Sequence, residues 1–340
     1  MNKLLEKEFW ETATIKDVER TLDEGADVNA CDNYEYTPLH RAVTSEKPEV
    51  VSLLLDRGAN IEACNNSGAT SLHWAATHSK TPEVVALLLD RGADIEARGY
   101  GLGETPLHSA AMMNEKSEVV SLLLDRGANI EACDTHGATP LHRAAGSNTP
   151  EVVALLLDRG ADIEARDQNG WTPLYKAVIH SETAEVVSLL LDRGADVNAC
   201  NDDSTLWLAF GNHEKFALLI KAGADINFVD KDGSTLLHCA SDEYNLEVAS
   251  MLIEAGVVVD SRDKYGCTPL HIAVAGGVSL EQDKFVGVLL KGGANTNARD
   301  QAGKTPLDRF KKYKKEDELK TLKTYWQLWS AELNQRDKIR

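Results

Sequence analysis

The chain has 340 residues, with 36 Lys/Arg against 54 Asp/Glu, a formal net charge of −18, and 43% hydrophobic residues. No apolar run approaches the ~20 residues that span a bilayer, and the start, Met1-Asn2-Lys3-Leu4-Leu5-Glu6, carries no signal-peptide core. Residues 309–340 hold ten Lys/Arg and five Asp/Glu, a net of +5, which leaves −23 on the remainder. An acidic body of that kind repels nucleic acid and anionic membrane.

In chain order, residues 1–31 come first. Phe9, Trp10, Ile15, Val18 and Leu22 stand at near-helical spacing before Gly25-Ala26-Asp27-Val28-Asn29-Ala30, which reads as a degenerate repeat capping the N-terminus. Thr37-Pro38-Leu39-His40 opens the first full unit, and the same tetrad returns at Thr105-Pro106-Leu107-His108, Thr139-Pro140-Leu141-His142 and Thr268-Pro269-Leu270-His271. Variants stand at Thr70, Thr172, Thr205, Thr235 and Thr305, so nine copies follow the partial one. Thr is a good N-cap and Pro is pre-set for the first helical position. Leu141, Ala144 and Ala145 then share one face of a short helix.

A second helix follows in each unit. Pro150–Arg166 repeats Pro82–Arg98 residue for residue, and Glu49–Cys64 equals Glu118–Cys133. Val152, Val153, Leu155, Leu156 and Leu157 make this helix apolar nearly all round, so neighbours must cover it. Gly160 sits where a left-handed residue closes the helix. Three irregularities interrupt the array: an enlarged finger at Gly99–Glu104, a shortened stretch at Asn201–Leu219, and an insertion at Gly276–Lys284. Glu316–Leu333 reads as a longer helix with Leu319, Leu322, Trp326, Trp329 and Leu333 at 3-4-3-4 spacing, either a cap or a docking element.

The pattern of turn glycine, TPLH, and then EVVxLLLxxGAD resembles the ankyrin repeat. The resemblance implies an all-α solenoid of helix–loop–helix units with short β-hairpin fingers: a capping repeat over 1–31, nine repeats over 32–315 and a C-terminal helix over 316–340. It implies that the usual work of such a chain is to bind another protein. It also implies that the recurrent histidine braces the fingers, and that Asn29, Asn198, Asn227 and Asn297 stand where asparaginyl hydroxylase acts.

Motifs that could carry chemistry have framework readings. Ala298–Thr305 meets a loose phosphate-loop pattern, but each residue also fits a finger followed by a helix start. The histidines His40, His73, His108, His142, His238 and His271 recur one repeat apart, whereas zinc ligands must converge at about 2.0–2.1 Å. Cys31, Cys64, Cys133 and Cys200 share a register with Arg98 and Arg166, and repeats ~8–10 Å apart exceed disulfide reach. The Asp-Arg pair before each closing glycine reads as solvated charge at a helix end. No catalytic residue, metal or cofactor is expected.

Specificity must then lie where the units differ. Tyr34, Tyr36, Arg41, Trp74, Tyr100, Leu102, Arg143, Trp171 and Lys176 form an expected aromatic–basic partner-binding stripe. Thr37, His40, Thr105, His108, Thr139, His142, Gly160, Thr268 and His271 are expected to be framework. The expected function is that of a non-enzymatic, monomeric scaffold or adaptor in the cytoplasm, which would be a host's cytoplasm if the chain is exported. The alternatives are a host-directed effector or inhibitor, or an array that self-associates through residues 316–340.

Overall fold

The computed structural model describes residues 3–79, 81–113, 117–147, 150–199, 204–275 and 280–311. The expected helix at Glu316–Leu333 lies outside them. The chain divides into two compact units, Met1–Cys200 and Asn201–Arg340.

The first unit holds twelve α-helices among its described residues. They are α1 (Lys7–Thr12), α2 (Ile15–Asp23), α3 (Pro38–Ala42), α4 (Pro48–Asp56), α5 (Ser71–His78), α6 (Glu83–Asp90), α7 (Pro106–Met113), α8 (Ser117–Asp125), α9 (Pro140–Gly146), α10 (Pro150–Asp158), α11 (Pro173–His180) and α12 (Glu185–Asp192). The second unit holds α13 (Thr205–Leu208), α14 (His213–Lys221), α15 (Leu236–Glu243), α16 (Leu246–Glu254), α17 (Pro269–Ala273), α18 (Leu280–Lys291) and α19 (Pro306–Lys311). Within each unit first helices pack on first helices and second on second, as in α5 on α7 and α4 on α6, or α15 on α17 and α16 on α18.

The core follows the sequence period. Leu141, Ala144 and Ala145 of α9 are buried, as are Val152, Val153 and Leu156 of α10, whereas Leu155 and Leu157 stay half-buried on its flanks. Burying one such leucine contributes about 1.5–3 kcal/mol. The same triplet recurs buried as Val50, Val51 and Leu54, and in the second unit as Val248, Ala249 and Leu252. Gly160 closes α10 at φ 89°, with Ala161 N–H donating to Leu156 O at 3.0 Å. A Cβ is disfavoured at that angle, hence glycine.

The helix starts explain the tetrad. Thr139 Oγ1 lies 2.9 Å from His142 Nδ1, and Thr139 N–H donates to the same nitrogen at 3.1 Å. Histidine thus does the job that Glu or Gln does in an ordinary capping box. Because Nδ1 accepts a backbone N–H, it carries no proton, so Nε2–H must be the donor. It donates to Trp171 O at 2.9 Å, in the next finger. The same bridge links His40 to Ala69, His73 to Glu104, His108 to Ala138, His238 to Cys267 and His271 to Lys304.

The fingers are turns rather than ladders. Isolated bridges occur at Cys64–Thr70, Gly99–Glu104 and Val229–Thr235 among the described residues. The turn itself is held by a side chain: Asp167 Oδ1 accepts from Asn169 N–H at 2.8 Å and Trp171 N–H at 3.0 Å. Successive fingers then join through backbone, for example Gln168 N–H to His136 O at 2.8 Å. A Cβ at Gly137 would meet Gln168 N at 2.9 Å, so this approach requires glycine. In the shortened stretch α13 has four residues. From Leu280 onward the insertion is helical, forming the 12-residue α18.

Candidate partner-binding grooves

Where the residue after the tetrad is a cation, it reaches back to its own finger. Arg41 Nη2 donates to Asp32 Oδ2 at 2.6 Å, Lys176 Nζ to Asp167 Oδ2 at 2.9 Å, and Arg143 Nη2 reaches both Asp134 Oδ2 at 2.5 Å and Glu104 Oε1 at 2.8 Å. Each finger aspartate therefore holds the turn with one oxygen and the cation with the other. Burial works against Asp134, but the Ala138 and His136 N–H groups and Arg143 hold its carboxyl below the ordinary value. Glu104 is pushed up, by burial first and by the nearby Asp134, with Arg143 opposing. The aromatic residues thus sit among paired rather than free cations.

Two clusters form in the first unit. Tyr36 packs edge-on to Trp74 with centroids 5.0 Å apart, Arg41 lies 4.7 Å over the Tyr36 ring, and Trp74 meets His78 at 4.3 Å. Trp74 and Arg41 help wall a cavity of about 550 Å³ completed by Trp10, Lys47 and His78. In the second cluster Trp171 stacks on Tyr175 at 4.8 Å, with Lys176 Nζ 4.4 Å from the indole. A cavity of about 540 Å³ there is lined by Leu102, Met112, Arg143, Trp171, Lys176 and His180, among others.

Six residues of the expected stripe therefore line cavities: Arg41, Trp74, Leu102, Arg143, Trp171 and Lys176. Tyr36 touches Trp74 edge-on but is not among the lining of either cavity. Tyr34 is 67% exposed at a finger tip, with its backbone oxygen accepting from Asn66 N–H. Tyr100 takes a left-handed φ of 58° and lays its ring edge-on to His73 at 5.7 Å, and burial raises its phenol. Trp10, Met112 and His180 were not among the expected site residues. His78 and His180 stand four residues after Trp74 and Lys176, a helical spacing that points them to the same side.

The remaining columns are structural. The histidine pKa values are lowered by burial, His108 to about 4, with His40, His73, His142, His238 and His271 shifted the same way. The Asp-Arg pairs link repeats: Arg57 to Asp23, Arg91 to Asp56, Arg126 to Asp90, Arg159 to Asp125 and Arg193 to Asp158, at 2.7–2.9 Å. Asn29 Oδ1 accepts Asn60 N–H at 2.7 Å, and Glu62, Glu96, Glu131 and Glu164 accept the corresponding N–H one repeat on. Asn and Glu are interchangeable there because each offers one oxygen within reach. Cys31, Cys64 and Cys133 are exposed and unpaired, whereas Arg166 in their column donates to Ala199 O. Ala298–Thr305 is a finger, with Asp300 Oδ1 accepting from Ala302 and Lys304 N–H. No group of His, Cys, Asp or Glu suited to a metal occurs among the described residues, nor any helix long and apolar enough to cross a membrane.

A family model described as ankyrin repeats (3 copies) matches residues 12–99, 98–167, 164–230 and 206–300. Among solved structures, the chain is similar to the ankyrin repeat domain of Bcl-3, described as a unique member of the IkappaB protein family. The TM-score is 0.55 with 32% identity, over 66% of this chain and 100% of that one. A search of curated protein sequences finds no match.

Proposed function

This chain belongs to the ankyrin repeat family, whose repeats are generally protein–protein interaction modules, and from that premise we propose that it is a non-enzymatic scaffold or adaptor that binds a partner protein through the two tryptophan-walled grooves of residues 1–200. The observation that supports this most is the treatment of Trp74 and Trp171. Each is half-exposed on a cavity wall, braced by an aromatic or cationic neighbour, although the framework around it is closed. A rigid aromatic that keeps an open face loses little entropy on binding, which is why Trp and Arg recur at interface hot spots. The paired cations favour a mixed-charge partner over a purely acidic one, because their charge is already compensated.

Trp74→Ala combined with Trp171→Ala should weaken capture of a partner by at least about tenfold, since hot-spot truncations cost about 2 kcal/mol or more. The measurement is parallel affinity capture on the intact chain and the double variant, with quantitative mass spectrometry of retained proteins and a thermal melt of both. An identical set of captured proteins with equal yields counts against the grooves.

A further inference from the structure

In residues 1–200 the crevice between successive second helices is closed by an arginine. Arg91 donates to Asp56 Oδ1 at 2.9 Å and to Ser52 Oγ at 2.6 Å, and Arg159 repeats this with Asp125 at 2.8 Å and Ser121 at 2.7 Å. Counting back from the closing glycine of each repeat, the positions of Ser52, Asp56 and Arg91 fall in α14 and α16 on Ala217, Lys221 and Ala255. Neither alanine can bridge the crevice.

A cavity of about 740 Å³ opens there instead, with Ala217, Leu246 and Met251 among its lining residues and Glu214, Glu247 and Glu254 beside them. Ser250 and Glu254 reproduce the receiving half of the rung, at the positions of Ser52 and Asp56, but the arginine position one repeat on is Gly292. Ile253 fills that space, since a Cβ on Gly292 would meet its side chain at 3.0 Å. Glu247 takes His213 Nδ1 at 2.7 Å and is itself 63% exposed. Glu214 and Glu254 pair with no cation among the described residues. Glu214 and Glu247 stand where residues 1–200 also carry glutamate, as at Glu49 and Glu83, and Glu254 stands where they carry aspartate. What is lost here is the bridging arginine, so these carboxylates border an open crevice with an apolar floor.

We propose that the groove between α14 and α16 docks an arginine-rich amphipathic helix of a partner protein. Its cations face Glu214, Glu247 and Glu254, and its apolar stripe lies on Ala217, Leu246 and Met251. The apolar floor supplies affinity, while the exposed carboxylates select sign and speed encounter. The site is separate from the tryptophan grooves and stands or falls without them.

The test is fluorescence anisotropy of a labelled, synthetic Arg/Leu amphipathic peptide titrated with the full chain at physiological salt. Saturable binding is expected, weakened at least about tenfold by Glu247→Lys with Glu254→Lys. Lys221→Asp with Ala255→Arg rebuilds the internal rung and should abolish binding while circular dichroism shows an unchanged fold. Trp74→Ala with Trp171→Ala should leave peptide affinity unchanged. The proposal is overturned if a scrambled peptide of equal charge binds as well, which would mean attraction to the acidic body alone. Full binding by the rung-restored variant, or by the double Glu variant, overturns it equally.

Discussion

Residues 1–200 and residues 201–340 bury the same kinds of side chain but are stitched differently. In the first unit each step between full repeats carries a histidine bridge, an Asp–Arg rung and an Asn or Glu accepting a backbone N–H. In the second unit histidine bridges persist at His238 and His271, and side-chain acceptors at Asn227 and Asp260. The Asp–Arg rung is gone, because Lys221-Ala222, Glu254-Ala255 and Lys291-Gly292 replace Asp-Arg. Near-identical units keep every contact that depends on the neighbour being identical. Diverged units keep the apolar core and lose polar rungs, and a lost rung leaves a surface open.

The largest effect should come from the shared part. Leu123→Ala in α8 and Leu252→Ala in α16 each empty a fully buried site and should each cost about 2–5 kcal/mol. Urea unfolding followed at both sites should show similar losses; a much smaller loss at Leu252 would mean the second core is loosely packed and would break the comparison there.

Histidine comes next. His108→Ala strands Thr105 N–H and Ala138 O in a buried place and should cost about 1–3 kcal/mol. The same residues confer acid sensitivity. Their folded pKa values lie below the ordinary 6.5, about 4 for His108, so between those values the unfolded chain holds the extra proton. Stability therefore falls as pH drops from about 6.5 toward 4. Four such histidines lie in residues 1–200 and two in 201–340, so urea midpoints measured down this window should decline more steeply for the first unit. Equal slopes would mean that other groups govern the acid response.

The rungs should matter least to stability. Arg126→Ala removes one exposed ion pair and should cost no more than about 1 kcal/mol, a loss that shrinks further in high salt. A cost well above that, measured by urea unfolding at low and high salt, would make the rungs more than a closure of the crevice.

Much of the fold is legible because ankyrin units are local. Thr139, Pro140 and His142 start a helix from neighbours within three residues, and Gly160 ends the next one by its own φ. The candidate grooves are less legible. Arg41, Arg143 and Lys176 read as the basic members of a partner-binding stripe, yet each has a finger aspartate nine residues earlier, at Asp32, Asp134 and Asp167. That spacing is present in the chain but matches neither helical nor strand period, so pattern reading passes over it. The Asp-Arg pair reads as solvated charge because its partner lies about one repeat away. The finger hairpins reduce to turns held by an aspartate or asparagine side chain, with isolated bridges beyond them among the described residues.

By itself the sequence determined where helices begin and end, which faces are apolar and that the units repeat, since capping, φ preference and periodicity act within a few residues. Only the tertiary structure decided which charges cancel, which tryptophans wall a cavity and which crevice stays open. Those outcomes depend on side chains nine or 35 residues apart meeting within 3 Å, distances set by the packing of a finger on its helix and of one repeat on the next.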